Sequence, residues 1–450
     1  MTTAPLGWLG IVRMGLVQTA LGAIVVLTTS TINRVMVVEL ALAAALPGAL
    51  VAFHYALQLL RPRWGYGSDL GGRRTPWIVG GMGVLAIGGL LAALATALMT
   101  DSMVGGIALA VVAFALIGFG VGAAGTSLLA LLATRVAPDR RGAAATIVWL
   151  MMIAGFVVTA IVAGHFLDPF SPARLVAVAG SVSVIAFVVA VLALQGIEGR
   201  GGHAEQHASE AADKVKPPFR EALAAIWAEP PARRFTVFVF LSMLAYSMQD
   251  LILEPFAGIV FGMTPGESTR LAGVQHGGVF AGMVLVALAG RAGLGIGSLR
   301  SWTIGGCIAS SLALLGLVAG GLAGPGYPLE VQVFLLGVAN GAFAVAAIGS
   351  MMQLAGSGQS SREGLRMGLW GASQAIAFAA GGFVGAAAVD VLRWMGTEPA
   401  VAFICVFTVE ALMFLLAARL AAGAIALDAA DHAGLDSSAD GREPLAEPAR

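Results

Sequence analysis

GYGSDLGGRRTPWIVGGMGVLAIGGLLAALATALM, from Gly65 to Met99, is the stretch whose reading decides the fold. Its first ten residues hold Asp69, Arg73 and Arg74, and its last twenty-four, Pro76 to Met99, hold no charge. A helix rises about 1.5 Å per residue and a bilayer's hydrocarbon core is about 30 Å thick, so about twenty apolar residues cross it. Working outward, such runs recur near 12–31, 36–60, 76–99, 104–134, 143–166 and 173–195. A second set lies near 235–261, 270–290, 301–323, 329–354, 369–391 and 399–421. Composition agrees. Of 450 residues 58% are hydrophobic and 11% charged, with mean hydropathy +0.89. A soluble domain keeps roughly a quarter of its residues charged, so this chain cannot cover a water-soluble globule and needs lipid around it. The 61 glycines suit closely packed helices. Net charge is zero, which implies no nucleic-acid partner. The first run, after Arg13, is long enough to stay in the membrane, so no cleavable signal peptide is expected. Cys307 and Cys405 both lie in apolar runs and read as small core residues.

One long polar stretch, Gln195 to Pro231, carries two Pro-Pro pairs and divides the runs six and six. The expected organisation is a first half over 1–195, a linker over 196–232, a second half over 233–421 and a tail over 422–450. Asp428 to Arg450 carries six acids against two arginines and reads as disordered. With the N-terminus inside, twenty-one Lys and Arg fall on inner segments and four, Arg34, Arg174, Arg270 and Arg393, on outer ones. That bias predicts both termini in the cytoplasm of a bacterial inner membrane.

The halves echo each other at an offset of roughly 215–222 residues. Gly118-Phe-Gly-Val-Gly122, Asp139-Arg-Arg-Gly142 and Trp149 are followed in order by Gly337-Val-Ala-Asn-Gly341, Ser361-Arg-Glu-Gly364 and Trp370. Asn33-Arg34 with Glu39 is echoed by Gln249-Asp250 with Glu254. Parallel repeats of six helices are the plan of the major facilitator superfamily. Gly65, Asp69, Gly72, Arg73 and Arg74 resemble that superfamily's inner-loop motif G-x-x-x-D-x-x-G-R-[KR]. The resemblance implies an all-α membrane protein of twelve helices in two pseudo-repeats. It gives Asp69 the role of a latch between helices, by pairing with an arginine or capping a helix end. The plainer alternative is a basic retention loop with chance glycines.

Ionisable groups at membrane depth are costly and usually functional. Asn33, Arg34 and Glu39, with Gln249, Asp250 and Glu254, are candidates for a polar pocket or gate. Pro255 follows Glu254, and a broken helix beside a carboxylate suits a binding site or hinge; the alternative is a helix end with Glu254 solvated. His54 and His276 sit at the repeat offset. Each could ligate a metal, including the magnesium of a chlorin, or simply hydrogen-bond between helices. Glu410 reads as an interhelical hydrogen-bond partner rather than a proton carrier, and His165 with Asp168-Pro169 as a helix stop. No P-loop, CxxC pair, G-x-S-x-G or Asp-rich diphosphate cluster is present, so no catalytic residue and no resident metal site is assigned.

Thr31-Ile-Asn-Arg-Val-Met-Val-Val-Glu-Leu40 and Gln249-Asp-Leu-Ile-Leu-Glu-Pro-Phe256 resemble the bacteriochlorophyll delivery family, which includes the PucC and LhaA assembly factors. The run Arg61 to Trp77 is similar too, and the resemblance extends from about Gly7 to about Arg419. Gly7 to Leu16 and His54-Tyr-Ala-Leu-Gln58 resemble a branch labelled a 44.5 kDa bacteriochlorophyll synthase subunit. The family implies bacteriochlorophyll a or a precursor as cargo. It implies bacteriochlorophyll synthase and nascent antenna or reaction-centre polypeptides as partners, with membrane lipid around the protein. A secondary transporter of a small amphipathic solute, and a membrane enzyme subunit, are the competing readings.

Overall fold

A computed structural model describes residues 6–60, 73–137, 140–198, 227–290, 297–356 and 363–439. Every regular element among them is helical. α1 runs Trp8–Glu39 and α2 Ala45–Leu60; then come α3 Thr75–Leu98, α4 Met103–Arg135, α5 Arg141–Leu167 and α6 Pro172–Leu194. α7 is in two pieces, α7a Pro230–Asp250 and α7b Leu253–Phe261. α8 Pro265–Ala289, α9 Leu299–Ala323, α10 Leu329–Gly356, α11 Glu363–Trp394 and α12 Pro399–Ala439 complete the set. Among the described residues eleven spans are long and apolar enough to cross a bilayer, and α2 is a shorter apolar helix.

Packing repeats between the halves. α1 packs on α5 and α6, α2 on α4, and α3 on α4 and α6; α7 packs on α11 and α12, α8 on α10, and α9 on α10 and α12. The two most extensive contacts that join the halves are α5 with α8 and α2 with α11, which the same symmetry exchanges; the end of α1 also touches α7b and α8. Each half has its own apolar core. The first takes only Leu251 from the second half, and the second takes Val37 and Ala44 from the first. The repeated glycines sit at matched crossings. A Cβ at Gly118 would lie 2.7 Å from the His54 carbonyl, and one at Gly337 would overlap the Gln275 carbonyl. Glycine lets these backbones touch, the usual device where lipid leaves no hydrophobic drive between helices.

Three boundaries differ from expectation. A run ending at 31 and another starting at 36 become one helix to Glu39 and a second from Ala45. Arg34 does not end α1 because its charge is paired within the same helix, by Glu39 at 2.5 Å. The last helix, α12, runs to Ala439, beyond the 421 expected as the end of its apolar run. Gly65, Asp69 and Gly72 of the inner-loop motif lie outside the described residues, as do most of the linker and residues 440–450.

Candidate functional site

The residues expected at the ends of the first and seventh helices meet. Both helices leave regular geometry there, for different reasons. α1 widens into π-type turns at Leu27–Ile32 and Val35–Glu39. Thr28 and Thr29 donate back to the Val25 carbonyl at 2.8 and 3.1 Å, the kind of competition that bends a helix. α7 stops at Asp250 and restarts at Leu253, with Glu254 in the first turn of the new piece and Pro255 third. Proline is tolerated there because a first-turn N–H has no intrahelical partner, and a carboxylate suits that positive end.

Four polar ties cross the halves at this point. Ser30 donates to Glu254 Oε1. Thr31 and Thr269 share a hydroxyl hydrogen bond of 3.0 Å. Asn33 Nδ2 donates to the Leu251 carbonyl at 2.8 Å. Arg34, 1% exposed, donates to Glu39 and to the Met263 carbonyl, both at 2.5 Å. The flanking seams are tied at the same end. Arg270 of α8 reaches the Gly164 carbonyl and Asp168 of α5, each at 3.2 Å. Asp390 of α11 accepts from Ala44 N at 3.0 Å and Ala45 N at 2.6 Å, capping α2. The end of α5 at Leu167, with Asp168 as its cap, agrees with the helix stop expected there.

Around this seam lie buried polar atoms without partners among the described residues. They include Oδ1 of Asn33, Nε of Arg34, both amide atoms of Gln249, Oε2 of Glu254 and both oxygens of Glu410. Glu410, expected as a hydrogen-bond partner, makes no hydrogen bond among the described residues.

The two histidines occupy equivalent places on α2 and α8, but their surroundings differ. His54 is 1% exposed, with Nδ1 2.8 Å from the Val51 carbonyl and its ring 4.2 Å from that of Tyr55. His276 is half-buried where α8 meets α5. Its Nδ1 is 2.8 Å from the Ala272 carbonyl, and its ring stands edge-on to Phe156 at 5.0 Å. A carbonyl only accepts, so Nδ1 must carry the proton, leaving Nε2 as a lone-pair donor. For His276, Nε2 makes no hydrogen bond among the described residues. The structure does not bring the two rings together.

At the arginine-rich end, Arg74 donates to the Ala130 carbonyl and to Thr134 Oγ1, both at 2.7 Å. Glu198, beyond α6, accepts from the backbone N–H of Arg74 and, at 2.8 Å, of Thr75. Partial burial pushes the Glu198 carboxyl up. The hydrogen bonds from Thr75 and Arg74 and the nearby Arg73 outweigh that and hold it below its ordinary value of 4.5. Arg74 and Glu198 thus tie the start of α3 to the end of α6; the latch expected from Asp69 lies outside the described residues. Sequence reading missed Glu198, Asp390, Arg270, Ser30 and Thr269. The charged three stood at run edges as ordinary surface residues, and hydroxyls carry no pattern. Among the described residues no three His, Cys, Asp or Glu side chains gather to hold a metal ion.

Comparison with known proteins places this architecture. Solved transporters share the fold. A peptide transporter crystallised with sulfate matches at a TM-score of 0.70 and 14% identity, over 95% of this chain and 97% of the other. A D-xylose–proton symporter matches at 0.69 and 13%, over 90% and 96%. Among sequence relatives, the bacteriochlorophyll synthase 44.5 kDa chain of Rhodobacter capsulatus is 56% identical over 421 residues, 94% of this chain and 96% of that one. Protein PucC of Cereibacter sphaeroides is 31% identical over 433 residues, 89% and 88%. The family model described as PUCC protein matches residues 31–427, which takes in the α1–α7 crossing and both histidines, so the chain belongs to the PucC protein family.

Proposed function

We propose that this protein holds bacteriochlorophyll, or a late precursor, inside the bacterial inner membrane and hands it to nascent antenna or reaction-centre polypeptides. The observation that carries this reading is His276. Its imidazole is fixed by the Ala272 carbonyl, backed by Phe156 and half-buried between the halves, with Nε2 unengaged. That is the chemistry of an axial ligand to a chlorin magnesium. The membership in the PucC family and the pigment-synthesis name of a 56% identical relative support the same class of work. The apolar helix faces can shield a phytyl tail and a photoreactive ring. Lateral hand-over between membrane partners needs no coupling ion. The protein acts beside bacteriochlorophyll synthase rather than as a catalyst, with both termini in the cytoplasm. His54, with its ring sealed against Tyr55, serves packing.

The test is an absorption spectrum of the protein purified in mild detergent from a pigment-producing host. A near-infrared band is expected in the wild type and in His54→Ala, and a lost or shifted band in His276→Ala. No band in any sample, with pigment abundant in the membrane, refutes the carrier. The second reading, a transporter of a small amphipathic solute, rests on the interrupted α7 with Glu254 at the break. Proton-gradient-driven uptake into vesicles would establish it.

A further inference from the structure

Set helix against helix, the cores of the two halves differ in kind at one place. Gln18 Nε2 lies 3.1 Å from Met152 Sδ, and Gln374 Nε2 lies 3.8 Å from Met243 Sδ. This is one contact with its partners exchanged, between α1 and α5 in the first half and α7a and α11 in the second. It matches Gln18 with Met243, and so Ile24 with Gln249, six residues further along each helix. α6 and α12 both begin at a proline, Pro172 and Pro399, and eleven residues later stand Ser183 and Glu410. The close crossings of Gly81 on Ala124 and Gly306 on Phe343 align α3 with α9 and α4 with α10. They match Leu85 with Ser310, and Val121 with Asn340.

All eight residues are buried. The first half closes its core there with Ile24, Leu85, Val121 and one small hydroxyl, Ser183. The second places Gln249, Ser310, Asn340 and Glu410 at the same points, so the fold itself does not demand polarity there. These side chains are neighbours. A Cβ at Gly89 would lie 2.6 Å from Ile24 and 3.0 Å from Ser183 Oγ, so those two flank one point. The matching point in the second half is Leu314, between Gln249 and Glu410. Ser310 donates to Asn340 Oδ1 at 2.8 Å. Phe343, three residues past Asn340, meets Phe414, four past Glu410, with ring centres 5.9 Å apart.

Both oxygens of Glu410, Oε1 of Gln249 and Oγ of Ser311 have no hydrogen-bond partner among the described residues, nor do the amide nitrogens of Gln249 and Asn340. No cationic side chain answers the carboxylate. On α12 and the helices packed against it, Arg233, Arg234, Arg300, Arg393 and Arg419 are all exposed. A buried carboxylate is paired or binds a metal ion. One carboxylate among neutral oxygens fits a singly charged ion, since calcium and magnesium draw on more oxygens and commonly more carboxylates.

We propose that Glu410, Gln249 and Ser311 bind one monovalent metal cation, of the sodium type, in the core of the second half. Gln249 lies in the last turn of α7a, so the ion ties α7a to α12 just before the break. The site stands apart from His276 and does not depend on the pigment reading.

The full chain, in mild detergent, is melted in sodium chloride and in choline chloride at equal ionic strength and pH. Binding of radiolabelled sodium is measured by equilibrium dialysis. The wild type should bind one sodium per chain, and its melting temperature should rise with sodium and saturate. Glu410→Gln should lose both effects, and Glu330→Gln, at an exposed acid on α10, should keep both. If Glu410→Gln does not fold, Gln249→Leu decides, with sodium bound about tenfold more weakly or worse. Equal melting in the two salts with no label bound overturns the proposal, as does a sodium response that both variants keep. Melting that follows pH and ignores sodium overturns it too, making a proton the neutralising charge. A response to calcium in place of sodium does the same, making the site divalent.

Discussion

α1 and α7 hold matching places in the two halves and touch each other, yet they carry polar residues at depth in opposite ways. α1 stays continuous and keeps its charges in balance: Arg34 and Glu39 pair on one helix, in widened turns that make room for the guanidinium. α7 breaks, and it and its neighbours leave polar atoms bare. Gln249 and Glu410, which have both side-chain polar atoms unpartnered, lie in the second half, as does the free oxygen of Glu254. A satisfied buried group rigidifies, whereas an unsatisfied one is costly unless it has another use. At the crossing α1 therefore acts as the brace through its bonds to α7 and α8, with Asn33 Oδ1 and Arg34 Nε left over, whereas at Gln249 and Glu410 whole side-chain ends stay without partners among the described residues.

The sharpest way to break this contrast is Arg34→Ala. It leaves Glu39 without its partner and the Met263 carbonyl without a donor. Glu39 is exposed and stays solvated, so the main loss is the charged donor to the Met263 carbonyl, about 1.5–3 kcal/mol. Thermal unfolding in detergent should show the loss, and a change below about 1 kcal/mol would mean the brace lies elsewhere. Next is the glycine crossing in the second half. Gly282→Ala drives a Cβ into the Val338 carbonyl and should cost about 1–3 kcal/mol by overpacking. Gly277→Ala, which meets nothing, should be neutral or stabilising.

Glu254→Gln sharpens the functional side. It keeps the acceptor for Ser30 and should change stability by no more than about 1 kcal/mol, as the hydrogen bond survives the substitution. Photosynthetic complexes should fail to assemble in that variant while pigment synthesis continues. Normal assembly would take Glu254 out of the site.

The smallest effect belongs to the arginine-rich end. Glu198→Ala removes the acceptor at the start of α3 and should cost about 1 kcal/mol, as lost helix caps do. The folded-state value of Glu198 is depressed, so its contribution is present above pH 4.5 and fades as pH falls through that lower value. A melting-temperature profile should show the wild type and Glu198→Gln converging on acidification below 4.5; a constant gap would remove the carboxylate from the latch.

Much of the fold was legible because lipid imposes a length on apolar runs and an arginine bias on loops. The α7 interruption was legible from Glu254-Pro255, since proline limits where a helix can run. The α1 boundary was misread because a charged residue looks like a helix end. Only three-dimensional pairing shows that Arg34 is neutralised by a residue five positions on.

By itself, then, the sequence determined an all-helical membrane chain with two related halves, the break in α7, and the short list of polar residues at depth. Hydropathy, charge bias and proline act locally along the chain, so they are written in one dimension. The tertiary structure alone decided that Ser30 meets Glu254, that Asp390 caps α2, and that His276 rather than His54 keeps an open nitrogen. Those outcomes depend on which helix faces cross and how closely glycine lets them approach, a property of pairs of helices that no single run encodes.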